Sequence, residues 1–365
     1  MKKAILNVLC IMFAAVLLFG CAAADNTPTT EANQAPTESA TMAEAQIPAG
    51  NAQTGDPNEE YVFACMQSGI EYWNQHRNAM YDATTELGVK YSFYGTEGAD
   101  ANEIVDLLET IISKKPAGII TAGYFPEAFI PIFQKAWDEG IPIATTTIDV
   151  PDSKRLVFLG TNYYNYGRMM ADTAAEACDA TGKVIISTML NSGQQTQFDI
   201  VNGIKDCIAE KYPNMSIVAQ LEDEGNAEVV VQVVSSALQA HPDTAAIIGT
   251  DSSSGIGSAA ALREVGLQGK VAIVCMDRDV PTLEAIKEGS IYATLAGKQY
   301  AEVYYAVKFL YDFNHNKVPL VADNKASNVI AQPMTCDPGA VIVTAANVDA
   351  FLEYDINDVR DPNFK

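Results

Sequence analysis

Positive charge is scarce in this chain. Its 365 residues carry 23 Lys and Arg against 46 Asp and Glu, a formal net charge of −23. Such a balance argues against nucleic acid as a partner and against direct adhesion to anionic lipid. Histidine is thinner still, with only His76, His241 and His315, far apart in sequence. No H-E-x-x-H, G-x-S-x-G, Walker loop or zinc spacing accompanies them, and the Ser252–Ser254 run has no evident base partner. No metal, cofactor or catalytic residue is therefore expected, and the chain does not read as an enzyme. The seven cysteines form no C-x-x-C pair. Cys65 and Cys275 lie in apolar runs and read as buried thiols, while spacing alone leaves a Cys178–Cys207 disulfide open.

Long apolar runs are also few, and the clearest stands at the start. Lys2 and Lys3 precede an apolar stretch from Ala4 to Phe19, which ends in Leu18-Phe19-Gly20-Cys21. Charged, apolar and small regions in that order read as a signal peptide over 1–20. The last four residues resemble a bacterial lipobox, so Cys21 is the expected site of lipidation; two acyl chains on one residue anchor stably. From Ala22 to about Asn58 large apolar residues nearly vanish, and a disordered tether over 21–57 is expected. The remaining body exceeds what one hydrophobic core usually supports, so two lobes are expected.

From Tyr61 onward, short apolar runs alternate with amphipathic ones. Five strands are expected between Tyr61 and Gly160, and five more between Lys183 and Leu295, with helical patterns between nearly all of them. Alternation of this kind predicts an α/β fold, two Rossmann-like doubly wound lobes with parallel sheets. In such sheets ligands bind beyond the carboxyl ends of the strands, which directs attention to the residues just after each run.

Those residues are polar or aromatic. Gln67 follows the first strand, and Tyr72-Trp73 stand at the next helix entrance, where flat rings can stack on the apolar face of a sugar. Thr147 and Asp149 follow the Ile141–Thr146 run. Asp251 follows Ala245–Gly249, and Asp277 follows Val271–Met276. Ionised carboxylates form strong hydrogen bonds to hydroxyls, so a ring of strand-end aspartates suits a polyhydroxylated ligand. Asp251 also precedes a helix and reads equally as its N-cap. Gly255-x-Gly257-x-x-Ala260 imitates a dinucleotide fingerprint, but four polar residues separate it from the strand end and Asp251 would repel a phosphate. Close helix–sheet packing is the better reading of those glycines.

With these stretches placed, the body resembles the type 1 periplasmic-binding-protein family, in its ribose/galactose/xylose-binding branch. The resemblance runs from about Tyr61 to Val348 and rests on Gly140-Ile141-Pro142-Ile143, Leu159-Gly160-Thr161-Asn162-Tyr163, Gly249-Thr250-Asp251 and similar segments in order. It implies ligand-binding roles for Tyr72, Trp73, Thr147, Asp149, Asp251 and Asp277. A family arginine falls near Phe198, with Gln194, Gln195 and Gln197 just before it. A family glutamine falls at Gly297, with Lys298 and Gln299 as substitutes. No calcium loop of the EF-hand kind is present.

The resemblance further implies three chain crossings, near 161–162, 297–298 and 328–331. One lobe would comprise 58–161 and 298–330, the other 162–297 and 331–348, with a tail over 349–365. Closure of such a hinge buries the ligand between lobes. The function so implied is a monomeric, lipid-anchored binding protein that delivers a monosaccharide to an ABC transporter permease outside the cell membrane. The alternative is a sensor that presents a sugar, nucleoside or signal molecule to a membrane kinase.

Overall fold

The computed structural model describes residues 55–355 and 358–362. The expected signal peptide, Cys21 and all but the end of the expected tether lie outside the described residues.

The first lobe begins with β1 (Glu60–Cys65), α1 (Asn74–Leu87), β2 (Lys90–Gly95), α2 (Ala101–Ser113), β3 (Gly118–Ala122), α3 (Pro126–Asp138), β4 (Ile143–Thr146) and β5 (Val157–Leu159). The second lobe follows with α4 (Tyr163–Ala177), β6 (Gly182–Thr188), α5 (Gln195–Lys211), β7 (Met215–Glu222), α6 (Ala227–Ala240) and β8 (Thr244–Gly249). It continues through α7 (Ser254–Val265), β9 (Ala272–Met276), α8 (Val280–Lys287) and β10 (Ala293–Gly297). The chain then forms α9 (Gln299–Asn314), β11 (Thr335–Cys336), β12 (Ala340–Thr344) and α10 (Val348–Glu353).

Two sheets result, ordered β11-β5-β4-β3-β1-β2 and β12-β10-β9-β8-β6-β7. Every pairing in the first is parallel; in the second only β12 runs antiparallel, against β10. Strand β1 explains why both faces are covered. Tyr61, Phe63 and Cys65 enter a core with α1 and α9, while Val62 and Ala64 enter another with α2 and α3. A strand apolar on both alternating sets must be sandwiched. Burial of a side chain such as Phe63 contributes roughly 1.5–3 kcal/mol. The second sheet is sandwiched likewise, between the cores of α4 with α5 and of α6, α7 and α8.

All ten expected strands and nine expected helical patterns are present; β11, β12 and α10 were not expected. The chain leaves the first sheet after β5, at Gly160–Asn162, and the second sheet after β10, at Gly297–Lys298. β11 pairs with β5 in the first sheet and β12 with β10 in the second, so the chain crosses at Asp337–Gly339 rather than at 328–331. A two-residue strand has no periodicity to read, which hid it. After α10 packs in the second lobe, residues 358–361 return to the first: Asn78 Nδ2 donates to the Asp358 carbonyl at 2.8 Å, and the Arg360 N–H donates to Asn78 Oδ1 at 2.8 Å.

The Gly255 and Gly257 question is answered by contact. A Cβ on Gly255 would meet Cys275 Sγ at 2.7 Å, and one on Gly257 would meet Val230 Cβ at 2.5 Å. Both glycines let α7 lie close to β9 and α6. The five described cysteines are free thiols, and Cys207 Sγ donates to Asp172 Oδ1 at 3.1 Å instead of bridging to Cys178.

Candidate functional site

Three strand-end residues share an unusual backbone. Gln67, Thr147 and Asp277 have φ of 49°, 63° and 74°. Left-handed conformations strain side-chain-bearing residues, most of all a β-branched one, and persist where the surroundings fix them. Asp277 is fixed from both sides: its N–H donates to the Leu295 carbonyl at 3.0 Å, and its carbonyl accepts from Thr294 Oγ1 at 2.7 Å. Its main chain is thereby tied to β10. Burial, with the nearby Asp279, pushes the carboxyl up to about 6.

Thr147 directs its hydroxyl to Glu302 in the first turn of α9, with Oγ1 3.5 Å from Oε2. Glu302 is buried, and that burial pushes its pKa up to about 7. Hydrogen bonds from the Thr147 side chain and from the Thr147 and Thr161 backbones oppose the shift; the charge of Asp337 adds to it. Thr161 belongs to the first crossing and Asp337 to the third, so this carboxyl sits among the hinge segments. Tyr72 is 40% exposed and its phenol hydrogen-bonds to Thr147; burial raises its pKa, and Glu302 and Asp277 both act on it. Tyr163, at the start of α4, is raised by burial and feels Tyr72, Glu302 and Asp277. Residues of both lobes therefore converge: Tyr72, Thr147 and Glu302 from one, Tyr163 and Asp277 from the other.

The expected aromatic pair divides. Trp73 is 4% exposed, donates from Nε1 to the Met66 carbonyl at 3.0 Å and packs edge-on to His76 and tilted to Phe63. It is a core residue, and of the two only Tyr72 offers a ring to the cleft. Asp149 differs from expectation as well. Its two oxygens accept from Arg155 Nε and Nη2 (the latter at 2.7 Å), from the Val150 N–H at 2.7 Å and from Thr145 Oγ1 at 3.1 Å. That carboxylate holds its own loop and has little capacity left for a ligand.

Asp251 is spent on the turn that leads into α7, whose N-cap position is Ser253. Oδ1 accepts from the Ser253 and Ser254 N–H groups at 2.8 and 3.1 Å, and Oδ2 accepts from Ser254 Oγ. Burial, reinforced by the adjacent Asp223, pushes it up to about 6. Gln195 lies exposed on α5 and bonds Asp199 at 2.8 Å. The inward glutamine is Gln197, whose Nε2 donates to the Thr250 carbonyl at 2.9 Å and whose Oε1 accepts from Thr250 Oγ1 at 2.7 Å. The reason is helical: α5 starts at Gln195, so residue 197 points to the sheet and 195 to solvent. Phe198 is 40% exposed, Gln67 is exposed, and Lys298 Nζ donates to the Pro338 carbonyl at 2.8 Å, joining the second and third crossings.

Sequence reasoning missed Glu302 and the place of Tyr163, and it named Gln197 only beside Gln194 and Gln195. Tyr163 stands three residues after the Gly160 strand end and was within reach of the strand-end rule. Glu302 reads from sequence as an ordinary acid in a first helical turn. Chemically, the site offers acceptors, hydroxyls and an aromatic face. Among the described residues no group of three His, Cys, Asp or Glu is arranged for a metal, and no described helix is long and apolar enough to cross a membrane. A separate groove of about 790 Å³, lined by residues such as Cys178, Gly182, Ala245 and Lys270, lies at the opposite ends of the second lobe's strands.

Comparison with known proteins matches residues 61–317 to the model of a periplasmic binding protein domain. The arabinose-binding protein AraP of Geobacillus stearothermophilus is 33% identical, with a TM-score of 0.72 over 82% of this chain and all of that one. A sugar-binding protein of a sugar ABC transporter from Bacillus halodurans is 31% identical, with a TM-score of 0.73 over 80% of this chain and all of that one. The xylose/arabinose-binding protein XylF of Sulfolobus acidocaldarius is 23% identical over 291 residues, 74% of this chain and 67% of that protein.

Proposed function

This chain belongs to the periplasmic binding protein family, a family of sugar-binding proteins and not of enzymes, and on that premise we propose that it captures a monosaccharide between its lobes for an ABC importer. The observation that carries the reading is the convergence of Tyr72, Thr147 and Glu302 with Tyr163 and Asp277 across the cleft. A pentose is the favoured ligand. The arabinose-binding and xylose/arabinose-binding names of the relatives support that choice.

In this reading the ligand's flat apolar face lies on Tyr72. The Asp277 carboxylate accepts from hydroxyls, a charge-assisted bond stronger than a neutral one. Glu302, poised near neutrality, either accepts or donates. Gln197 positions Thr250 behind the site, and Phe198 borders it. Asp149 and Trp73 support the walls without touching the ligand, and Asp251 shapes the loop before α7. Binding across both lobes favours the closed form, which gives a permease a way to distinguish loaded from empty protein. Lipidation at Cys21 would keep the protein at the outer face of the cell membrane.

The reading is tested by thermal denaturation of the signal-free protein with a panel of pentoses, hexoses and sugar alcohols. A ligand bound only by the native state raises the midpoint with concentration. A concentration-dependent rise with at least one pentose is expected; no rise with any sugar in the panel sinks the proposal.

A further inference from the structure

Apart from the cleft, a cavity of about 240 Å³ is lined by Gln75, Asn78, Arg278, Tyr300, Tyr354 and Arg360. Gln75 and Asn78 come from α1 and Tyr300 from α9, both in the first lobe. Arg278 comes from the loop after β9 in the second, and Tyr354 and Arg360 come from the returning chain end. Two guanidinium groups thus face one small space in a protein of formal charge −23.

Their partners differ. Arg360 pairs with Asp82. Arg278 has no ion pair or hydrogen bond among the described residues, and its Nε is buried without a partner. Asp279, next to it in sequence, is spent on the Thr282 N–H and hydroxyl, and Asp277, on its other side, belongs to the cleft. Burial alone pushes the Arg278 pKa below the ordinary arginine range. Arg278 is half-buried, and a guanidinium partly withdrawn from water without a counter-charge is costly unless a partner offsets it.

The ring contacts say which part of each guanidinium is left. Arg278 Cζ lies 5.2 Å from the Phe351 ring centroid, and Arg360 Cζ lies 5.5 and 5.7 Å from those of Tyr300 and Tyr354. These ring contacts leave the Arg278 N–H groups without an acceptor among the described residues, while Arg360 already gives Nη1 to Asp82. The N–H groups that remain match the oxygens of a tetrahedral oxyanion. Gln75, on the cavity wall, adds a neutral amide donor. Asn78 is already committed to the backbone of Asp358 and Arg360, which fixes the wall on which Arg360 stands.

We propose that this cavity binds a small tetrahedral oxyanion of the phosphate class, with Arg278 as its principal ligand and Arg360 and Gln75 completing the shell. The bound anion joins the second lobe, through Arg278, to the first lobe and the chain end. None of its lining residues is among those that converge in the cleft, and the proposal does not rest on the sugar reading.

The probe is inorganic phosphate, titrated calorimetrically into the signal-free full chain without sugar, with sodium chloride holding ionic strength constant. Saturable binding is expected in the wild type. Arg278→Gln should weaken it at least tenfold, and Arg278→Lys, which keeps the charge but loses the fork, should weaken it less. Sugar binding in phosphate-free buffer reports whether each variant is folded and keeps failure of this site distinct from failure of the cleft. Absence of a phosphate response in the wild type beyond that of chloride would overturn the proposal. So would equal phosphate affinity in folded Arg278→Gln protein.

Discussion

Thr147 Oγ1 lies 3.5 Å from the Glu302 carboxylate, so the loop after β4 and the first turn of α9 meet at one hydrogen-bonding contact. The contact joins a residue in a left-handed backbone conformation to a buried acid. Because the Thr161 backbone also bonds Glu302 and Asp337 acts on it, the carboxyl couples the floor of the cleft to the hinge.

Glu302 should therefore imprint a pH dependence on stability. Its folded pKa of about 7 exceeds the ordinary value of 4.5, so the native state binds more protons than the unfolded chain in that window. Unfolding free energy then falls as pH rises. The stabilisation is full below about pH 4.5 and lost through pH 7, with a ceiling of about 3 kcal/mol. Asp277, raised to about 6, acts in the same direction. Urea denaturation at pH 5 and pH 8 should show a smaller loss of stability for Glu302→Gln than for the wild type. Equal losses would contradict this account of the buried acid.

Tyr72 and Trp73 should separate binding from stability. Trp73→Ala removes a buried ring and should cost about 3–5 kcal/mol of unfolding free energy. Tyr72→Ala removes a partly exposed ring, so its stability change should stay under about 1 kcal/mol. Its sugar affinity should fall at least tenfold. Denaturation curves and calorimetry on both variants check the division.

The bidentate Asp149–Arg155 pair predicts a different outcome. Arg155 is almost fully buried and Asp149 mostly so, and removing one partner strands the other. Arg155→Met should destabilise the protein by about 3 kcal/mol, while the protein that remains folded keeps sugar affinity within about threefold. A tenfold affinity loss with little change in stability would place Asp149 at the ligand instead.

The buried thiols should be inert. Cys65 and Cys275 are each pushed up to about 12 by burial, and the thiolate is the reactive form. A thiol reagent at pH 8 should label neither in native protein and both once urea has unfolded it.

The architecture was legible because its signals are local and repeated. Strands such as β1 and β3 are short apolar runs, and Gly88 and Gly266 close α1 and α7 in the left-handed conformation. β11 escaped because two residues carry no pattern, and the third crossing was misplaced with it. For the cleft, the strand-end rule named Tyr72, Thr147 and Asp277, which lie beside Glu302 in the fold. It could not distinguish Asp149, whose partner Arg155 lies six residues on, from an acid free to bind. Glu302 stayed hidden because its neighbours in space, Thr147 and Thr161, lie far from it in sequence, and only the crossing of the chain brings them together.

The central claim, that the convergent groups between the lobes bind a monosaccharide, is tested most directly by isothermal titration calorimetry. The signal-free protein and its Tyr72→Ala and Asp277→Asn variants would be titrated with arabinose, xylose, ribose and the common hexoses. One-to-one binding of at least one pentose is expected, with each variant weakened tenfold or more, about 1.4 kcal/mol. No binding by the wild type to any of these sugars, or unchanged affinity in both variants, would contradict the account.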